Sequence, residues 1–313
     1  MLNFLLRRGL ATAPVLLIVA VIVFLLLRMT PGDPAAAIAG DAASAQDIAR
    51  IRMQLGLDES ILVQFARWLG QVLRGDLGHS FFYRMSVTDL IGQRLEPTLS
   101  IAAVTVVLTV LIALPLGVLA ASRRGGRLDR FIMGASVLGF SVPVFVAGYA
   151  MIWLFSMQLG WLPSQGYSRI ADGVGPWLRN LVLPCITLAV MYAALIARVT
   201  RASVSEALTE DYVRTARAKG IAEWRMLLRH ALANAAVPIA TVIGLSVAGL
   251  IGGVVVTETI YAIPGLGQLT VDAVLSRDYP LIQGITLFFS LVYVVVNLLV
   301  DLSYLLLDPR IRY

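Results

Sequence analysis

Few residues in this chain are equipped for covalent chemistry. Lys219 is its single lysine, and Gly220 follows it. A phosphate-binding P-loop needs Lys before Ser or Thr, because the ammonium must reach the phosphates. The chain therefore carries no such nucleotide site. His79 and His230 are separated by long apolar runs and fall on opposite faces once those runs are oriented across a membrane. That excludes a His-pair zinc motif. Cys185, the single cysteine, lies inside an apolar run and reads as a small core or lipid-facing residue. No Gly-x-Ser-x-Gly elbow occurs. The sequence thus asks for no cofactor, no metal and no catalytic residue. Two carboxylates need a reading of their own. Asp301 sits four residues after Asn297 in an apolar stretch, where a charge is costly unless paired or near water. It either meets an Arg of a neighbouring loop or serves a proton relay. Glu258 stands at the end of another apolar run, where water is expected to solvate it.

The elements that would position these residues are membrane spans. Hydrophobic residues make up 58% of the 313 and charged residues only 14%, against about 25% charged in soluble domains. A bundle facing lipid explains that balance. The net charge of +6 comes from Arg residues set between apolar runs, so membrane topology accounts for it and nucleic-acid binding does not. A span needs about 20 apolar residues. The qualifying stretches are Gly9 to Leu27, Thr98 to Ala121, Phe131 to Met157, about Leu181 to Ala197 (with a possible start at Trp177), Ala231 to Val256, and Leu281 to Val300. The third is too short to be two spans and is expected to be one. Pro115, Pro143 and Pro184 fall inside spans, where neighbouring groups can satisfy the freed carbonyl. The first stretch is longer than the apolar core of a signal peptide, although Ala35-Ala36-Ala37 resembles a cleavage site. Cytoplasmic loops are rich in Lys and Arg. Six spans with both ends in the cytoplasm put Arg123, Arg124, Arg127 and Arg130 inside, with Arg198, Arg201, Arg214, Arg217 and Arg225. Trp153, Trp161 and Trp177 then form an outer aromatic belt.

Two inter-span segments are unusually long. Thr30 to Pro97, outside, opens on the turn-rich Thr30-Pro31-Gly32-Asp33-Pro34. It then carries two amphipathic helices, about Gln46 to Leu55 and about Ser60 to Leu73. The second has Ile61, Phe65, Trp68, Leu69 and Val72 on one face, to be packed on the membrane surface, the spans or a partner. Val199 to His230, inside, reads as a helix from Ala202 to Ala218, a stop at Gly220, and a helix from Ala222 to Ala233 with Trp224, Leu227, Leu228 and Ala231 on one stripe. Two readings stand equal: a docking surface, or an amphipathic hairpin lying on the membrane. In the fifth span Gly249 and Gly253 are spaced for close helix approach, either within the chain or at a subunit interface or pathway.

At that cytoplasmic segment the sequence resembles a known family. Asp211-Tyr212-Val213-Arg214-Thr215-Ala216-Arg217-Ala218-Lys219-Gly220 is similar to the cytoplasmic loop of ABC importer permeases, whose motif is Glu-Ala-Ala, three residues, then Gly. Counting back from Gly220 puts Arg214, Thr215 and Ala216 on the Glu-Ala-Ala positions, so the first two depart from it. Leu232-Ala233 likewise departs from the family's later Leu-Pro. These departures resemble the dipeptide, oligopeptide, nickel and glutathione branch. So do Arg74-Gly75-Asp76-Leu77-Gly78, Thr257-Glu258-Thr259, Pro264-Gly265-Leu266-Gly267, Arg277-Asp278-Tyr279-Pro280 and Leu307-Asp308-Pro309-Arg310-Ile311-Arg312-Tyr313. The resemblance covers essentially the whole chain.

What the resemblance implies is an all-α polytopic membrane protein of the type I ABC importer kind in a bacterial inner membrane. Its parts would be a first transmembrane helix over residues 1–29, an extracytoplasmic helical segment over 30–97, a permease core over 98–304 and a cytoplasmic tail over 305–313. The core would contain the coupling loop over 199–230. The partners implied are a second homologous permease subunit, two ABC ATPase subunits beneath the spans, an extracytoplasmic solute-binding protein and the lipid bilayer. The ATPase-coupling residues implied are Tyr212, Val213, Arg214, Thr215, Ala216, Arg217, Lys219 and Gly220. Tyr212, Arg214, Ala216 and Arg217 would touch an ATPase groove. Di- or oligopeptides are the expected solute, with nickel, glutathione and glycosides as alternatives. From other classes, an ion-coupled secondary transporter would have to rely on Asp301, and a membrane-embedded enzyme lacks a catalytic set.

Overall fold

The computed structural model describes residues 2–29, 44–54 and 58–307. The Thr30-Pro31-Gly32-Asp33-Pro34 motif, Ala35-Ala36-Ala37, Leu55 and the terminal motif from Asp308 onward lie outside the described residues. Every expected span stretch falls on helix, the third and fifth with a break inside them. The helices are α1 (Leu2–Met29), α2 (Ala45–Gln54), α3 (Ile61–Leu73), α4 (Val87–Ser122), α5 (Arg127–Ser141), α6 (Val144–Met151), α7 (Val174–Ala207), α8 (Asp211–Ala218), α9 (Glu223–Arg225), α10 (Leu232–Asn234), α11 (Ala236–Ile260), α12 (Leu266–Leu275) and α13 (Tyr279–Leu307). A π-helical turn, Ile152–Gln158, prolongs α6, and another, Met226–Ala231, joins α9 to α10. Among the described residues, α4, α7, α11 and α13 are long and apolar enough to cross a membrane, and α5 with α6 makes a fifth if the bent pair is one span.

That pair corrects the expectation of one unbroken third span. Its two arms meet at 99°. Pro115 and Pro184 lie inside continuous helices, whereas Pro143 stands at the break. Among these three prolines the preceding residue differs, although Val237 before Pro238 stays helical in the first turn of α11. A residue before Pro is pushed out of the helical region, and Val142 is β-branched, a type that favours extended backbone. Val142 is indeed extended, with ψ 123°. Leu114 and Leu183, which precede the other two prolines, are not β-branched and stay helical.

The chain divides into two compact units. One comprises Met1–Leu95 with Leu269–Val294. In it the aromatic face of α3 packs on α1: the Phe24 ring lies 5.1 Å from Phe65 and 5.5 Å from Trp68. Of the alternatives for that face, the spans are the answer, while Ile61, Leu62 and Val63 stay exposed. Asp278 organises the rest. It accepts hydrogen bonds from the Ser80 hydroxyl (2.5 Å), the Phe82 N–H (3.1 Å) and the Leu281 N–H (3.4 Å). One buried carboxylate therefore caps α13 and pins the loop after Gly78. Beside it, burial raises the pKa of the Tyr83 phenol, helped by the Asp272 carboxylate.

The other unit comprises Glu96–Gln268 with Val295–Tyr313. Its core gathers Ile101 from α4, Leu181, Leu183, Cys185, Leu188 and Tyr192 from α7, and Leu250 and Val254 from α11. Cys185 is a core residue, its thiol 3.7 Å from the Ile101 carbonyl. Trp153 and Trp161 are exposed, whereas Trp177 is half-buried and donates to the Ser100 hydroxyl at 3.2 Å. Gly249 and Gly253 face the chain's own α7: a β-carbon at Gly253 would lie 3.0 Å from Leu188 and 3.3 Å from the Tyr192 hydroxyl. Toward the C-terminal end of α13, Asn297 and Asp301 are half-buried, and the Tyr304 hydroxyl donates to Thr241 at 2.9 Å.

Candidate functional site

The hairpin between α7 and α11 begins further along than its sequence pattern suggests. The helix expected over Ala202 to Ala218 is in fact two. Its first part is the end of α7, and a turn over 208–210 separates it from α8. The Thr209 hydroxyl donates back to the Glu206 carbonyl at 2.7 Å, offering the backbone an exit from the helix. Glu210 is extended at ψ 149° in the N-cap position of α8, and Asp211 follows in the first turn, where a carboxylate suits the positive end of the helix.

Gly220 ends α8 in the left-handed region, φ +73°. The Gly220 N–H donates to the Arg217 carbonyl at 2.9 Å and the Ile221 N–H to the Ala216 carbonyl at 3.2 Å. This pair of bonds is a Schellman motif, which reverses the chain and satisfies carbonyls the helix end would otherwise leave open. No atom lies within 4 Å of a β-carbon built on Gly220. Backbone conformation therefore calls for glycine here, and crowding does not. Across the turn Arg217 forks onto Glu223, with Nη2 to Oε1 at 2.7 Å. The Glu223 carboxylate raises the pKa of the Arg217 guanidinium further.

The two faces of this hairpin differ in character. Val213 and Ala216 are buried within the chain. Tyr212, Arg214, Thr215, Arg217 and Lys219 are turned outward. Ala216, expected as a partner contact, is buried within the chain. The second stripe is also divided. Ala231 is buried and Leu227 packs beside it, but Trp224 is 60% and Leu228 53% exposed. Sequence spacing assumed α-helical winding, whereas Met226–Ala231 winds as a π-helix. The wider i→i+5 turn shifts the phase of every later residue.

At the far end of α11, about 33 Å along a 25-residue helix, stands a second polar feature. Glu258 is not solvated as expected; it is 0% exposed. The Thr98 hydroxyl donates to its Oε1 at 2.6 Å and the Gln268 N–H to its Oε2 at 2.9 Å. The Thr98 oxygen in turn accepts the Leu266 N–H at 2.8 Å. After α11 the chain turns, with Ile263 N–H donating to the Glu258 carbonyl at 2.9 Å. Pro264-Gly265-Leu266-Gly267 thus folds back over the carboxylate. A β-carbon on Gly265 would collide with that carboxylate. The Thr257-Glu258-Thr259 and Pro264-Gly265-Leu266-Gly267 motifs are two sides of one knot. Their spacing held the signal, since a carboxylate six residues before Pro-Gly can be covered by the turn that follows.

The chain is similar over its whole length to bacterial permeases. It is 53% identical over 310 residues to a probable peptide ABC transporter permease protein of Sinorhizobium fredii, covering 99% of both chains. It is 44% identical to a putative peptide transport system permease protein of Brucella abortus and 45% identical to the glutathione transport system permease protein GsiC of Salmonella paratyphi A, each over 313 residues and 100% of both chains. Among solved structures it resembles a chain of the MetNI methionine ABC transporter in an inward-facing conformation. The TM-score is 0.60 at 18% identity, over 70% of this chain and 96% of that one, which is a likeness of fold. The family model for the N-terminal part of binding-protein-dependent transport system membrane components matches residues 1–102. Residues 113–313 match the model for the binding-protein-dependent transport system inner membrane component, and the chain belongs to that family of ABC importer permeases.

Proposed function

We propose that this permease subunit imports di- or oligopeptides, delivered by an extracytoplasmic binding protein and driven by two ATPase subunits that dock on the Asp211 to Asn234 hairpin. The observation that carries the solute class is identity of 44–53% over the full chain to relatives named as peptide permeases. Glutathione, the solute named for another relative at 45% identity, is itself a short peptide. A second, homologous permease subunit completes the pathway, ATP hydrolysis resides in the partners, and both termini are cytoplasmic. The Arg-rich inner segments support that orientation.

The docking role rests on the exposed face of the hairpin. Arg214 and Arg217 offer cations, and Tyr212 and Trp224 offer the amphipathic aromatic surface that interfaces favour. An amphipathic hairpin lying flat on lipid would put its apolar side outward and its charges along one edge. Here Val213, Ala216, Met226 and Ala231 are already buried within the chain. Purified complex in proteoliposomes, supplied with binding protein and ATP, should accumulate labelled di- and tripeptides and exclude nickel. Uptake of nickel without peptide would overturn the solute assignment.

A further inference from the structure

α5 is a rigid arm with a loose end. Its far end is released at Val142, where the helix breaks before Pro143 and the chain turns by 99°. Its near end is tied. Asp129, in the first turn, accepts a forked pair of bonds from Arg201 of α7: Nε to Oδ1 at 2.9 Å and Nη2 to Oδ2 at 2.7 Å. The Gly125 N–H adds a third bond at 2.9 Å. The Asp129 side chain is 4% exposed, so this is a desolvated, geometrically specific pair unlike the exposed ion pairs of the hairpin. Between tie and break lie 13 residues of helix, a lever of about 20 Å. An apolar groove of about 410 Å³ runs beneath it, lined by Ile132, Ala135 and Ser136 of α5 and by Ala189, Ala193 and Ala197 of α7, with α4 as the third wall. Beside the break the two helices approach closely: a β-carbon on Gly139 would lie 3.2 Å from Val190.

Arg201 occupies the last two turns of α7, which runs unbroken to Ala207 and passes through one turn into the hairpin. The tie is therefore a charge-assisted contact between the hairpin's own helix and α5, one turn before Val204 and Ala207 pack on Val118 and Ala121 of α4. We infer that the Asp129–Arg201 pair is a positioning contact of transport: it makes α5 follow α7 when the hairpin is displaced, so that the arm swings about the Val142–Pro143 break over the groove. This rests on the reading of the hairpin as the ATPase-docking element. The pair touches neither solute nor nucleotide and acts only through the helices it joins.

The test is the number of ATP molecules hydrolysed per solute imported, in proteoliposomes holding the complete complex and binding protein. Asp129→Asn removes the charge, and Arg201→Lys keeps the charge but loses the fork. Both variants should still co-purify with the ATPases. Asp129→Asn should raise the ATP-to-solute ratio about ten-fold. Arg201→Lys should raise it about three-fold, and Asp129→Glu, which keeps a carboxylate, should fall nearest to wild type. A merely structural role would lower the amount of complex and leave the ratio unchanged in what assembles, and that result overturns the inference. So does loss of ATPase co-purification, which would assign the pair to docking. Should Asp129→Asn fail to assemble, Arg201→Lys decides alone, and a wild-type ratio there sinks the proposal. A wild-type complex in which binding protein stimulates neither hydrolysis nor uptake would mean that the reading of the hairpin has failed, a separate outcome.

Discussion

The segments at the two ends of α11 are opposites. The Glu258 knot folds its polar groups inward: carboxylate, Thr98 hydroxyl and the N–H groups of Leu266 and Gln268 satisfy one another out of water. The hairpin folds its apolar groups inward and leaves arginines, a tyrosine and a tryptophan facing out. A closed buried polar network is stiff, because every broken bond leaves an unsatisfied group in a low dielectric. An exposed charged surface held by one turn motif and a fork is easier to displace. The contrast teaches that motif residues of one chain can belong to different physical classes. Some hold a shape, and some present a surface to a partner.

That contrast breaks first, and most heavily, at Glu258. Glu258→Ala should lower stability in detergent by about 3 kcal/mol, since donors from Thr98 and Gln268 lose their acceptor away from water. The midpoint of thermal unfolding is the readout, and an unchanged midpoint would mean that the knot is ornamental. Gly265→Ala comes next, at about 2 kcal/mol, because its methyl group must displace the carboxylate. Gly252→Ala is the matched control, with no atom within 4 Å of its β-carbon, and should leave stability unchanged or raise it by up to about 1 kcal/mol. Smallest should be Arg217→Ala. Its pair with Glu223 is half-exposed, so the stability change should stay below about 1 kcal/mol. Uptake should nonetheless fall, because the fork sets the angle between α8 and α9. Equal effects of Arg217→Ala on stability and uptake would erase the distinction between the two regions.

Much of this was legible in the residues. Apolar runs of span length announced the helices. Gly220 after Lys219 announced the helix stop, and its positive φ is the conformation that stop requires. The family resemblance, read from the same loop and from short motifs along the chain, agrees with the family match. What the sequence concealed depended on context. Pro143 looks like Pro115 and Pro184 until the β-branched Val142 before it is weighed. Glu258 looks solvated because its cover comes from a turn that has not yet been reached along the chain, and from Thr98, 160 residues earlier. The Trp224 stripe was misphased because nothing in Met226-Leu227-Leu228-Arg229-His230-Ala231 signals a π-helix. Asp129 and Arg201 were visible only as two more charges beside spans, 72 residues apart.

The central claim is that the Gly220 turn aims an otherwise self-contained hairpin at the ATPases. Gly220→Val tests it most directly. A β-branched residue is penalised in the left-handed region, while open space around the site leaves no clash to disturb the spans. In proteoliposomes holding the full complex, binding-protein-stimulated ATP hydrolysis and peptide uptake should both collapse, with the amount of permease in the membrane near wild type. Wild-type rates of both from Gly220→Val would contradict the account and remove this hairpin as the element that transmits ATPase closure.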